Sequence, residues 1–257
     1  YEKLIRPVAG SLKINLTMVP YGVLHYLPFA ALYSGDDFLV DTHTLRVLPS
    51  AEVLMVLPST LRPSGSMLAL GNPLGDLEGT EREVRRVAEA HQPSKVLIGP
   101  SASRTNFQRL APAFDILHIA AHGEYVQEAP LESRLILAPS EGDAGDLTVR
   151  DLYAMQPPLR ASITVLSACE SALSQIASGD ELIGLQRGFL FAGTESIVGS
   201  LWRVSDAATA YLMEQFYRSL GRNVSRAKAL QEAQVKTRRE YPNHGDWAAF
   251  IYTGAVH

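Results

Sequence analysis

Two side chains in this sequence have both the type and the setting for covalent chemistry. Cys169 is the sole cysteine among 257 residues, and it follows the apolar run Ile163-Thr164-Val165-Leu166-Ser167-Ala168. A single thiol cannot form an internal disulfide, and it leaves no partner for a Cys-rich zinc site. A packing residue or a nucleophile remains. Free cysteine usually fills space in a core, but a packing cysteine belongs inside an apolar run, and this one stands at the tip, before Glu170-Ser171. A lone Cys with a distant His is the pattern of a thiol nucleophile.

The seven histidines are His25, His43, His91, His118, His122, His244 and His257. His118 lies inside the apolar run 115–121 and reads as a core residue with a satisfied ring. His122 ends that run and is followed by Gly123, which frees the backbone after the imidazole to turn sharply and approach a substrate. A thiol needs a base or a cationic neighbour to supply thiolate at neutral pH, and an imidazole serves as either. His122 and Cys169 are therefore expected to act as a Cys–His dyad.

The elements that must position this pair are strands. Short, continuous, partly β-branched runs fit strands covered on both faces, as in parallel sheets. Open α/β sheets bind ligands beyond the carboxyl ends of their strands, which is where both residues fall. From Met67 the pattern alternates. Strands are expected over 67–71, 95–98, 115–121 and 196–202. Helices are expected over 80–91, 103–110, 149–155, 180–191, 207–220 and 225–239, giving βαβ units with helices on both sheet faces. Thr80 with Glu83 fits a capping box, which leaves Glu83 on a solvated face beside Glu81, Arg82, Arg85 and Arg86. Arg134–Ala138 with a turn at Ser140–Gly145 predicts a hairpin. Gly71-Asn72-Pro73-Leu74-Gly75 lacks the Lys-Ser/Thr of a phosphate loop and reads as a strand-ending turn. Glu195 falls at the strand end away from the chemistry and is given no catalytic role.

The first third has a different character. Residues 11–26 alternate around Pro20-Tyr21-Gly22 and predict a β-hairpin. Pro28–Leu32 reads as a short helical turn, Phe38–Asp41 and Thr44–Leu48 as extended segments, and Ser50 as the cap of a helix over 51–57. No linker divides the chain. One unit is expected over 1–257, with a β-rich part at 1–65 and an α/β catalytic core at 66–257.

Composition narrows the function classes. Hydrophobic residues make up 46% and charged residues 19%, so a substantial core is affordable, and a net charge of −4 offers no basic field for nucleic acid or an anionic membrane. No run approaches the ~18 apolar residues of a membrane span, and Tyr1-Glu2-Lys3-Leu4 shows no signal-peptide pattern. The start reads as lying within a longer protein or a trimmed chain. One free thiol suits the reducing cytoplasm. No metal cluster or cofactor loop is evident, so neither metal nor cofactor is expected.

Several ordered motifs carry a resemblance. The His122-Gly123 strand end, Leu166-Ser167-Ala168-Cys169-Glu170 with its cysteine 47 residues after that histidine, and Gly199-Ser200-Leu201-Trp202-Arg203-Val204-Ser205-Asp206 resemble the CHAT domain. This is the caspase-like peptidase domain often found with tetratricopeptide repeats. The likeness extends to Phe216-Tyr217, to the segment from Asp246 to Gly254, and forward to the segment from Val19 to Leu32.

The resemblance implies a caspase-like three-layer α/β sandwich with a mostly parallel central sheet flanked by helices, here with the N-terminal hairpin region. It implies a cysteine endopeptidase acting through a thioester, with Cys169 as nucleophile and His122 as acid and base. The backbone N–H groups of Gly123 and Cys169 are candidates for the oxyanion hole. The excursion at Leu131–Arg134 would border the cleft. By the same resemblance, the Trp-x-Val-x-Asp acid, Asp206, lies in the pocket for the residue preceding the cut and selects Arg or Lys. Trp202, Arg203 and Val204 would border that pocket and pair with the substrate backbone. Asp206 also reads as a helix-start residue favoured by the dipole, with Ser205 or Asp206 as cap, and Trp202 also reads as a core anchor. Ser-Ala-Cys-Glu-Ser departs from the caspase Gln-Ala-Cys-x-Gly signature, so aspartate specificity is not carried over. The implied partners are a protein or peptide substrate and a tetratricopeptide-repeat region in the same chain or a regulatory protein that holds the enzyme latent. The competing reading is a catalytically silent scaffold or interaction module.

Overall fold

A computed structural model describes residues 1–57, 62, 63, 65–126, 128–167, 181–222 and 224–255. Cys169 and its neighbours over 168–180 lie outside the described residues. In chain order the strands are β1 (Asn15–Met18), β2 (Thr44–Val47), β3 (Met67–Gly71), β4 (Ser94–Ile98), β5 (Ile116–Ala120), β6 (His122–Glu124), β7 (Arg134–Ile136), β8 (Asp146–Thr148), β9 (Ile163–Leu166), β10 (Ser196–Ser200) and β11 (Phe250–Gly254). The helices are α1 (Leu39–Thr42), α2 (Val53–Val56), α3 (Glu78–Ala90), α4 (Arg104–Leu110), α5 (Val149–Tyr153), α6 (Glu181–Phe191), α7 (Asp206–Leu220), α8 (Arg226–Glu240) and α9 (His244–Trp247).

Six strands form the central sheet in the order β11-β10-β9-β5-β3-β4. All neighbours are parallel except β10 and β11. Successive side chains of a strand point to opposite faces, and the two cores divide accordingly. Met67, Ala69, Ile116, Ala120, Ile163, Val165 and Val198 pack against α3, α7 and α8. Leu68, Leu70, Leu117, Ile119, Leu166 and Ile197 pack against α4, α5 and α6. Burial on both faces explains the unbroken apolar runs, and the three-layer α/β sandwich follows from them.

The front third corrects the expected hairpin. β1 pairs in parallel with β2, and Gly22–Tyr26 forms a 3₁₀ helix. Parallel pairing needs a crossover, which residues 19–43 supply, so the alternation was real but its partner was distant. Phe38–Asp41 is not extended: α1 begins at Leu39, with Asp41 Oδ2 accepting from Phe38 N at 3.0 Å. The turn at Phe29–Ala31 and the short helix α2 fall where expected, although no side chain caps α2.

A second correction concerns α3. It begins at Glu78, not Thr80, and the Thr80 hydroxyl donates to Leu77 O at 2.8 Å while accepting from Asn72 N at 2.9 Å. Glu83 is 3% exposed and makes no capping box. The β7–β8 hairpin forms as expected, and β6 joins it as a third antiparallel strand. Among the described residues no helix is long and apolar enough to cross a membrane.

Candidate active site

The carboxyl ends of β3, β5 and β9 lie side by side. Asn72 N donates to Ala120 O at 3.3 Å, and Ser167 N donates to Ile119 O at 2.9 Å, carrying the ladder one residue beyond β9. The chain leaves β5 at Ala121 and enters the second sheet at His122, whose register partner is Ile136. Gly123 stands opposite Leu135, and Glu124 pairs with Arg134 in register and through an ion pair. Gly123 is thus a strand residue and the expected sharp turn after His122 does not occur. The imidazole is held instead by the ladder of a three-stranded sheet.

That imidazole has a carboxylate partner. His122 Nε2 lies 2.9 Å from Asp76 Oδ2, with the two side chains 18% and 53% exposed. Asp76 stands in the turn between β3 and α3, which is shaped by positive φ at Asn72 and Gly75 and by Asn72 Oδ1 accepting from Leu77 N at 2.7 Å. A carboxylate on one ring nitrogen fixes the tautomer and the plane of the ring.

Beneath the strand ends lies a buried polar chain. Glu83 Oε1 is 3.0 Å from His118 Nε2, and His118 Nδ1 is 3.0 Å from the Tyr217 hydroxyl. Glu83 Oε2 accepts from Ser167 Oγ at 3.0 Å. Burial, and then the negative charge of Glu83, push the Tyr217 phenol well above its ordinary range. A buried carboxylate is costly unless hydrogen-bonded, and this one has a donor at each oxygen. His118 is the satisfied core histidine expected from its place within the strand.

A cavity of about 60 Å³ opens between α3, α7 and the ends of β9 and β10, with Glu83, Ala121, Ser167, Ser200, Arg203, Val204 and Asp206 in its walls. Asp206 is exposed at the first position of α7. Its carboxylate rests on the backbone of Gly79 in the first turn of α3, where a Cβ would overlap it. Ser205 occupies the N-cap position of α7 without capping it, since its hydroxyl donates to Asp246 Oδ1 at 3.1 Å. Asp206 therefore stands at the amino ends of two helices, where the aligned peptide dipoles favour an anion.

Of the residues singled out from sequence, Arg203, Val204 and Asp206 share the cavity, with His122 at the end of a neighbouring strand. Trp202 is not among the residues in the cavity walls; it is half-buried and donates from Nε1 to Gly245 O at 2.9 Å. Residues 201–205 carry no strand pairing. The sequence reading missed Asp76, Glu83, Ser167 and Tyr217. Glu83 had a signal: with Gly79, Val84, Val87 and Ala88 it falls on the buried face of α3, at the spacing of an apolar helix stripe. Asp76 had none, because an acid in a turn is ordinary. Among the described residues no group of three His, Cys, Asp or Glu side chains could hold a metal ion.

Comparison with known proteins matches the CHAT domain family model to residues 1–255. The chain is similar to tetratricopeptide repeat protein 28 of Homo sapiens, at 26% identity over 99% of this chain, and to its Mus musculus counterpart at 25%. It spans only 13% of the length of either protein. Among solved structures it is similar to Saccharomyces cerevisiae separase in its complex with securin, with a TM-score of 0.57 and 19% identity over 90% of this chain and 15% of that one. It is also similar to the Arg-specific cysteine proteinase gingipain R, with a TM-score of 0.57 and 11% identity over 87% of this chain and 56% of the other. These likenesses are of fold, that of the caspase-like peptidases.

Proposed function

Since the chain belongs to the CHAT domain family, we propose that it is a cysteine endopeptidase acting through Cys169 and His122, with Asp76 orienting the imidazole. The observation that carries this reading is the 2.9 Å contact of His122 Nε2 with Asp76, made at a strand end beside the one that leads to Cys169. With Nε2–H donated to the carboxylate, Nδ1 is the nitrogen that exchanges protons with the reacting atoms. The Cys169 thiol gives its proton to His122 as the sulfur attacks the scissile carbonyl carbon, the C–N bond breaks, and His122 passes that proton to the leaving amine. Water then attacks the thioester, His122 takes its proton, and the thiolate leaves. Backbone N–H groups of Gly123 and Cys169 are assigned to the oxyanion, each such donor contributing about 3 kcal/mol in comparable hydrolases.

Asp206 is assigned to a basic residue preceding the cut, Arg or Lys. A carboxylate at the cavity mouth with Arg203 and Val204 beside it supports that reading, because pairing with a desolvated cation discriminates among side chains. Trp202 serves the pocket by anchoring its rim to Gly245. The tetratricopeptide repeat proteins and the separase–securin complex support regulation by a repeat region in the same chain or by a separate protein, which holds the enzyme latent. The cytoplasm is the compartment that fits a peptidase relying on one free thiol.

A second reading, a catalytically silent interaction module, draws on the relatives named for their repeats. Cleavage of a peptide library by wild type, Cys169→Ala and Asp206→Ala, with any regulatory region and activator present, separates the two. Cutting after Arg or Lys that vanishes in Cys169→Ala and loses its basic preference in Asp206→Ala supports the peptidase. An inert wild type, activator included, gives the interaction module the lead.

A further inference from the structure

The Glu83 carboxylate does something that helix α3 does not need. It is 3% exposed, on a face otherwise made of Gly79, Val84, Val87 and Ala88, where an apolar side chain would pack at lower cost. A charged group in that place supplies direction. Its two oxygens are divided between His118 on β5 and Ser167 at the end of β9, each at 3.0 Å. His118 is in turn bonded to Tyr217 of α7, and both rings are fully buried. One chain of hydrogen bonds thus ties α3, β5, the end of β9 and the last turn of α7 together. Glu83 and Ser167 also line the cavity that Asp206 borders.

We infer that Glu83 is a positioning residue: through the Ser167 hydroxyl it fixes the end of β9, two residues before Cys169 in the sequence, and it is itself held by His118 and Tyr217. This rests on the assignment of Cys169 as nucleophile. Ser167 is the point of transmission, since its backbone N–H is spent on Ile119 O and its side chain on Glu83. Both groups of the residue are thus engaged, one by β5 and one by α3.

The test uses Ser167→Ala, Ser167→Thr, Glu83→Gln and the Ser167→Ala/Glu83→Gln double variant in the intact protein. Two rates are read: peptide cleavage, separated into kcat and KM, and alkylation of the thiol by iodoacetamide at neutral pH. Cys169 is the sole cysteine, so alkylation reports on it alone and needs no peptide substrate. The expected result for Ser167→Ala is a fall of about tenfold or more in kcat, as for a reacting group misplaced against a bound substrate by up to about an ångström, and slower alkylation, because a thiol moved away from its cationic or basic neighbour is less often thiolate. KM should stay near wild type, the thermal midpoint should fall because one oxygen of the buried Glu83 carboxylate loses its donor, and Ser167→Thr, which keeps the hydroxyl, should retain both the rates and the midpoint. The double variant should lose no more than the worse single variant, because both changes act through the same Ser167–Glu83 contact. Wild-type rates in folded Ser167→Ala, or losses that multiply in the double variant, overturn the inference. If Glu83→Gln does not fold, the contrast of Ser167→Ala with Ser167→Thr decides. If wild type cuts no peptide while alkylation still follows the Ser167 hydroxyl, positioning stands and the peptidase reading falls.

Discussion

His122 Nε2 and Asp76 Oδ2 lie 2.9 Å apart although 46 residues separate them in the chain. The imidazole belongs to the first residue of β6 and the carboxylate to the turn between β3 and α3. The contact therefore ties the second sheet to the turn after β3, and in the proposed reaction it sets which ring nitrogen faces the substrate.

Replacing Asp76 by Asn keeps the size of the side chain but gives the imidazole an amide in place of a carboxylate. Because Asp76 is half exposed, the change should leave the thermal midpoint near wild type. The proposed cleavage should slow by about 10- to 100-fold in kcat, toward the lower end of what general acid–base assistance supplies, with KM little altered. Steady-state kinetics on the arginyl substrate check it, and an unchanged kcat removes Asp76 from the site.

Gly79 makes the seat of Asp206. Gly79→Ala introduces a Cβ where the carboxylate now lies, so Asp206 and the start of α7 must shift. A cost of about 1 kcal/mol or more in stability is expected, offset in part by the better helix propensity of Ala. Preference for Arg or Lys over a neutral residue should fall about tenfold, as expected when a charge pair is displaced. Denaturant unfolding and paired peptide substrates measure the two effects separately.

Trp202 can be assigned by a smaller change. Trp202→Phe keeps an aromatic ring and removes the Nε1–H donated to Gly245 O. A stability loss of about 1 kcal/mol is expected, the usual net value of one hydrogen bond, with the preference for basic residues intact. Loss of that preference at unchanged stability would make Trp202 a pocket wall instead of an anchor.

Arg104 fastens the β6–β7–β8 sheet to α4. Its Nε lies 2.9 Å from Asp143 Oδ2, and Nη1 donates to Asp146 O at 3.2 Å. Burial works against the Asp143 charge, but the Gly145 N–H and the Arg104 guanidinium outweigh it and hold the carboxyl below its ordinary value. A carboxyl lowered in the folded state adds stability that is complete above its unfolded pKa and is lost as pH falls through the folded one. Asp143→Asn should therefore cost about 1 kcal/mol at neutral pH. That difference should shrink as pH falls below about 4, near the ordinary carboxylate range, and chemical unfolding at a series of pH values will follow it.

Strands β3, β5, β9 and β10 could be read because burial on both sheet faces demands uninterrupted apolar residues, and that demand is local. Helices α4, α6, α7 and α8 fall where the strand–helix alternation puts them, and Ser103 and Ser225 cap α4 and α8 by accepting from Asn106 N and Lys228 N. Thr80 and Glu83 misled because a capping-box spacing is local too, while the burial of Glu83 depends on β5, β9 and α7, which lie far along the chain. The hairpin at residues 11–26 failed similarly: alternation sets which side chains point inward, not which strand lies alongside, and β1 found β2.

The sequence by itself determined the reactive residue types, their place at the tips of apolar runs, and the parallel α/β class, since each follows from residue type and local periodicity. Only the tertiary structure decided that His122 sits in a second sheet, that Asp76 hydrogen-bonds it, that Glu83 joins Ser167 to His118, and that Asp206 rests on Gly79. Those relationships connect residues tens of positions apart or more, and no periodicity encodes them. They exist because packing the helices onto both faces of the sheet brings β3, α3, β9 and α7 to one end.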